Sequence, residues 1–169
     1  MSDLSGSQTE KDLKEAFAGE SQANRKYLAF AQKAEQEGLT QVAKLFRAAA
    51  AAETVHAHAH LRALGGVSST EDNLKDAIGG ETHEFTNMYP RMIKDATNEG
   101  FDAALKSFTL ANAVEKVHAE LYRKALDNLG KNEALDYYVC QVCGNTIEGE
   151  PDGPCEVCGA PKSAFYKID

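Results

Sequence analysis

The sequence predicts an all-α four-helix bundle followed by a small four-cysteine metal module. Three observations carry this: four long stretches bounded by cap and glycine signals, a unit repeated within them at an offset of 61 or 62 residues, and four cysteines confined to positions 140–158. A chain of 169 residues has room for one bundle-sized domain and a small module. Its 26 acidic against 18 basic side chains argue against nucleic-acid partners, which need a basic footprint to displace counterions. The longest apolar stretches, Tyr27 to Ala31 and Ala48 to Ala52, fall far short of the roughly 20 residues of a membrane span, and no basic-then-apolar leader opens the chain. A cytoplasmic protein without a membrane partner is therefore expected.

Thr9, with Asp12 three residues on, is read as the cap of a first helix that runs without proline to Gly38. Thr40 is read as the cap of a second, which passes through the alanines at 48–52 and stops at Gly65-Gly66. Thr70 would cap a third, Glu71 to Glu99, kinked at Pro90 and ended by Gly100. Asp102 opens a fourth that closes at Gly130. The short connections predict two antiparallel hairpins. Residues 131–136 then form a linker, giving a bundle domain at 1–136 and a cysteine domain at 137–169.

Ala16-Phe17-Ala18-Gly19-Glu20 in the first helix echoes Ala77-Ile78-Gly79-Gly80-Glu81 in the third, at an offset of 61. Phe46, Ala49, Glu53, Val55, His56 and Ala57 recur in the fourth helix as Phe108, Ala111, Glu115, Val117, His118 and Ala119, at an offset of 62. Positions i and i+3 share a helix face, so Glu53 with His56, and Glu115 with His118, can grip one ion from one side. Both pairs lie among Ala and Val, where an unpartnered carboxylate would cost several kcal/mol. Glu20, Glu53, His56, Glu81, Glu115 and His118 therefore read as the inward set of a di-metal carboxylate bundle. Glu84 in the third helix breaks the symmetry, because the matching place after Glu20 is Ala23. Oxygen and imidazole ligands in this number suit iron or manganese, with redox-silent zinc as the alternative.

The cysteines form two pairs, Cys140-Gln-Val-Cys143-Gly and Cys155-Glu-Val-Cys158-Gly. In a chain with no export signal this reads as a tetrathiolate metal site, with the glycine after each pair supplying the positive φ of a tight knuckle. The spacing alone fits iron or structural zinc.

Taken in order, Ala-Gly-Glu20, Glu53-x-x-His56, Gly-Glu81-x-x-Glu84 leading to Met88-Tyr89-Pro90, Glu115-x-x-His118-Ala-Glu-Leu-Tyr and the cysteine tail resemble a rubrerythrin. The resemblance implies a ferritin-like bundle with a rubredoxin-like domain, acting as a non-haem di-iron peroxidase. It would reduce hydrogen peroxide to water in oxidative-stress defence, fed by one iron (zinc being the alternative) held by Cys140, Cys143, Cys155 and Cys158. It further implies that Glu53 and Glu115 bridge the two irons, that Glu20 is terminal on one, and that Glu81 and His118 bind the other. Glu84 and His56 would be alternatives for the first iron as its redox state changes, with Tyr27 and Tyr89 beside the site. Rubredoxins usually have proline after the third cysteine, where this chain has Glu156. An iron-oxidising or iron-buffering protein of ferritin type is the competing reading, and it has no use for the four-cysteine tail.

Other residues take plainer readings. His58, His60 and His83 are placed on the surface or outside the ligand set, and Phe101, Leu105 and Phe108 are read as core. No Gly-x-Gly-x-x-Gly or P-loop is present, so the electron donor is expected to be a separate reductase or rubredoxin-type protein. The second helix is about 36 Å long, whereas the six residues after it reach about 20 Å, so the second and third helices of one chain must be antiparallel. Ferritin-like bundles, which rubrerythrins resemble, need them parallel; a domain-swapped homodimer would reconcile the two demands, the alternative being an up-down-up-down monomer that closes its own site.

Overall fold

A computed structural model of the chain describes residues 4–169. It contains two compact units, the first ending at Ser68 and the second running Ser69–Asp169.

The first unit is an antiparallel hairpin of α1 (Gln8–Gln36) and α2 (Thr40–Ala63). Gly38, at φ 76°, makes the turn, and the Leu39 N–H returns to the Ala34 carbonyl at 2.8 Å. Ala43, Ala50 and Ala57 recur every seven residues on α2 and are buried, with Ala31 and Ala34 buried on α1. Small side chains on this seam let the helices approach closely. Buried Asn24 crosses it, donating from Nδ2 to the Ala50 carbonyl at 2.7 Å and to Thr54 Oγ1 at 2.9 Å.

The second unit begins with α3 (Thr70–His83), which runs through a wide π-helical turn at Glu84–Met88 into α4 (Tyr89–Glu99). Gly100, at φ 76°, ends α4, and α5 (Asp102–Asp127) returns along it. The tail is a three-stranded antiparallel sheet of β1 (Tyr137–Cys140), β2 (Thr146–Glu148) and β3 (Phe165–Lys167), in the order β2-β1-β3. Lys124 of α5 pairs with Glu148 of β2, so the sheet is anchored to the last helix.

Five details differ from the sequence reading. Ser7, not Thr9, caps α1, its Oγ accepting the Glu10 N–H at 3.0 Å. Ser69, not Thr70, caps α3 in the same way, through Asp72 at 3.1 Å. Leu39 precedes α2 with no side-chain cap, so Thr40 is its first residue rather than its cap. A serine one or two residues upstream wins because the capping oxygen must reach the N–H three residues on while its own backbone stays extended. The irregularity expected at Pro90 lies in the turn before it, where the Tyr89 N–H reaches back five residues to the Glu84 carbonyl. Glu20 and Tyr27 are seven residues apart, whereas Glu81 and Tyr89 are eight apart. At 100° per residue the extra residue would swing Tyr89 off its face; the wide turn absorbs it. The two tyrosines keep matching partners, with Tyr27 6.2 Å from Phe46 and Tyr89 6.3 Å from Phe108, centroid to centroid. Phe101, expected in the core, instead precedes α5 with no side-chain cap and is 60% exposed.

Among the described residues, no helix is long and apolar enough to cross a membrane.

Candidate metal centres

The structure places Glu20, Glu53 and His56 together in the first unit, and Glu81, Glu115 and His118 together in the second. In each cluster one oxygen or nitrogen from every residue lies within 4.8 Å of the others. The internal geometry repeats closely. His56 Nδ1 is 3.0 Å from Glu53 Oε2 and 3.8 Å from Glu20 Oε1. His118 Nδ1 is 2.8 Å from Glu115 Oε2 and 3.8 Å from Glu81 Oε1. The helical i, i+3 spacing brings each Glu-His pair together, and the neighbouring helix supplies the third ligand.

Glu84 opens the π-helical turn and is not part of the three-residue cluster, but it shares its field. Burial pushes its carboxyl above the usual range, and the Glu115 charge adds to this. Glu81 is raised further, to about 7, first by burial and then by Glu115. Two carboxylates confined this closely resist ionising together, and a bound cation relieves both costs. Burial and the same carboxylates raise Tyr89 and Tyr122. Tyr27 packs against Phe30 and Phe46, which also touch each other. Asn112, one turn before Glu115, has a buried Oδ1 with no hydrogen-bond partner among the described residues. It is an acceptor available to a group that the protein does not itself supply. These are the features expected of residues that fit a cation. His58 and His83 are exposed and His60 is half-buried, and none of the three enters a cluster.

The four cysteines are free thiols gathered into one cluster. Sγ atoms of Cys140 and Cys158 lie 3.7 Å apart, and those of Cys143 and Cys155 3.6 Å apart. A metal–sulfur bond of about 2.3 Å in a tetrahedron puts the sulfurs about 3.8 Å apart, so the donors fit a tetrathiolate ion. Gly144 and Gly159, at φ 84° and 73°, close the two knuckles, their N–H groups donating to the Cys140 and Cys155 carbonyls at 2.8 Å. Burial would push Cys155 up, but the N–H groups of Cys158 and Val157 bring it down to about 7. Burial holds Cys143 well above the ordinary thiol value.

Sequence reasoning passed over Tyr122 and Thr146. Tyr122 follows His118 by four residues and so shares its face, a signal the periodicity contained. Thr146 Oγ1 lies 3.0 Å from His118 Nε2 across 28 residues of chain, and no local pattern announces it.

Helical hairpins carrying carboxylate–histidine clusters, with a tetrathiolate module behind them, define a class of helical metalloprotein. A family model described as rubrerythrin matches residues 11–126, and the chain belongs to the rubrerythrin family. It is 34% identical to nigerythrin of Nitratidesulfovibrio vulgaris over 93% of this chain and 85% of that one. With rubrerythrin of the same organism it shares 30% identity over 98% of this chain and 96% of the relative. Among solved structures, fully reduced, all-ferrous nigerythrin matches at a TM-score of 0.59 and 34% identity, covering 99% of this chain and 90% of that one. The fold is thus a mostly helical, ferritin-like arrangement of four helices with a four-cysteine cluster in a small antiparallel sheet.

Proposed function

We propose that this chain is a non-haem di-iron peroxidase that reduces hydrogen peroxide to water, with electrons entering through the four-cysteine module. One observation carries the reading: the same carboxylate–histidine cluster occurs twice, and a tetrathiolate cluster accompanies it. The first cluster supplies Glu20, Glu53 and His56; the second supplies Glu81, Glu115 and His118, with Glu84 beside them. Two irons held there would supply the two electrons that split the O–O bond, so that peroxide, two electrons and two protons give two waters. The residues' part is to hold the cations, to balance their charge with carboxylates and, at Tyr27 and Tyr89, to hydrogen-bond ligands or peroxide. A peroxidase needs a route for electrons to return, which a ferritin-type store does not. The cysteine domain, 137–169, would take them one at a time from a separate reductase or rubredoxin-type donor. Unpaired thiols in such a cluster suit the reducing cytoplasm.

The two clusters lie on hairpins joined by only a short segment, Leu64 to Ser69. The length of α2 against the reach of that segment supports a domain-swapped homodimer, in which each site takes one cluster from each chain.

A chain ended after Asp136 tests the reading. Chemically reduced and iron-loaded, it should consume about one peroxide per site, then stall when only a protein donor is offered. Full-length rates in that mixture would refute the electron route, and slow iron oxidation by oxygen without peroxide turnover would favour the iron-storage reading.

A further inference from the structure

The run His56-Ala-His58-Ala-His60 near the end of α2 is only partly used by the three-residue cluster, which takes His56 alone. Glu53, His56 and His60 stand at i, i+3 and i+7 and so share one face, whereas His58 and Arg62 are turned about 200° from His60. The second copy shows what this spacing brings together: His118 and Tyr122, the counterparts of His56 and His60, line one cavity with Leu74 and Leu121. There both ring nitrogens of the histidine are engaged, Nδ1 by Glu115 at 2.8 Å and Nε2 by Thr146 at 3.0 Å. On α2, His56 Nδ1 faces Glu53 at 3.0 Å, but among the described residues nothing bonds its Nε2, and nothing bonds either ring nitrogen of half-buried His60.

Two imidazoles at i, i+4 on one helix face can grip a divalent ion between them, as a His-x-x-x-His pair does for zinc. Helix side chains lean toward the N-terminus, so His60 leans over the turn that carries His56. Imidazole nitrogens suit iron, cobalt or zinc, whereas magnesium and calcium take oxygen. With only two protein ligands, water fills the remaining positions, and the pair holds its ion loosely enough to release it. On one side of the pair lies the Glu20, Glu53 and His56 cluster; on the other, α2 ends at Ala63, three residues beyond His60. The whole face, from Glu53 to His60, runs about 10 Å along the helix. His56 belongs to both groups, with Nδ1 toward the cluster and Nε2 left for the pair, so the shared ring can hand an ion from one to the other. Tyr122 gives the second copy no imidazole at this place, just as Ala23 gives the first no counterpart of Glu84.

We propose that His56 and His60 form a transit site for a divalent metal ion, ferrous iron in the working protein, on its way into the Glu20, Glu53 and His56 cluster. A ligand used only in passage speeds uptake and release alike and leaves the final affinity unchanged, which separates this role from that of a permanent ligand. The proposal rests on the reading of Glu20, Glu53 and His56 as metal ligands, but it does not depend on peroxide turnover.

The test loads cobalt(II) into the full chain, with zinc already in the four-cysteine site, and follows the cobalt absorption band by stopped flow in wild type, His60→Leu, His60→Glu and His58→Leu. In His60→Leu the first cluster's share of the signal should rise about tenfold more slowly. Release of that cobalt to a chelator should slow by the same factor, leaving the equilibrium dissociation constant as in wild type. His60→Glu keeps a ligand at the position and should load within about threefold of wild type. His58→Leu, on the opposite face, should match wild type. An unchanged loading rate in His60→Leu, the same slowing in His58→Leu, or a loss of affinity through faster release would each overturn the proposal, the last by making His60 a permanent ligand or a support of the fold. If the leucine variant does not fold, His60→Ala against His60→Glu makes the same comparison. Cobalt loading with this dependence, in a chain that reduces no peroxide when iron-loaded, would refute the peroxidase reading and leave the transit site in place.

Discussion

The carboxylate–histidine cluster of α1/α2 and that of α3/α5 have the same three ligand types and nearly the same distances, yet their surroundings differ. The His56 side chain is 55% exposed and His118 27%. Ala23 follows Glu20 where Glu84 follows Glu81, and His60 stands where the second copy has Tyr122. An asparagine also changes sides. Asn24 on α1 is satisfied by the Ala50 carbonyl, whereas Asn112 occupies the place of Ala50 on α5 and keeps an unpartnered Oδ1. A grip on a cation would need only the i, i+3 pair and one carboxylate opposite, and those are the distances that repeat. Everything that tunes the site lies in residues around that grip, and there the copies are free to diverge.

The largest effect should come from breaking the copies one at a time. Glu53→Ala and Glu115→Ala remove equivalent ligands, and each should abolish turnover, beyond the roughly 10- to 100-fold cost of losing an outer partner. Unfolded and refolded together, the two dead chains should regain about a quarter of wild-type activity if the copies meet across a swapped dimer, since about half the dimers are mixed and each has one intact site. No recovery would mean that each chain closes its own site.

Glu84 tests the asymmetry. Glu84→Ala should still bind two metals, because both three-residue clusters remain, but turnover should slow about tenfold. Loss of metal, or an unchanged rate, would show that Glu84 does not act as the second copy's extra ligand.

Glu81 tests the difference in burial. Its folded-state value, about 7, lies above the ordinary 4.5, so the native protein holds this proton more tightly than the unfolded chain. The associated stability is present below about pH 4.5 and is lost as pH rises through about 7. Metal-free protein should therefore lose Tm across that window relative to Glu81→Gln, by about 2–4 °C for each kcal/mol in a chain of this size. Parallel Tm curves for the two proteins would refute the shift, and divalent metal should reduce the difference by holding the carboxylate ionised.

The smallest effect belongs to the caps, where the copies agree. Ser7→Ala and Ser69→Ala should each cost about 1 kcal/mol in denaturant unfolding without altering metal content. A loss of metal from either variant would mean that the helix start, and not only the ligand face, positions the cluster.

Much of this was legible along the chain because it is periodic. The four helical stretches, the i, i+3 pairs and the knuckle glycines are local patterns, and the structure keeps them. The caps were misread by one or two residues because Thr9 and Ser7, or Thr70 and Ser69, are equally plausible by type, and only backbone geometry chooses between them. The change of offset from 61 to 62 was visible in the sequence. That it resolves as a π-helical turn at Glu84, rather than as a longer loop, needed the helix itself.

By itself the sequence determined the ligand chemistry: which residues can hold a cation, in what local spacing, and that they occur as two copies with a tetrathiolate tail. These follow from helix periodicity and turn stereochemistry, which act over a few residues. Tertiary structure alone decided what surrounds each copy. Glu81 rises because folding buries it beside Glu115, 34 positions away, and His118 acquires Thr146 because β2 is docked on α5. Burial and long-range hydrogen bonds depend on where distant segments come to rest, and no spacing along the chain encodes that.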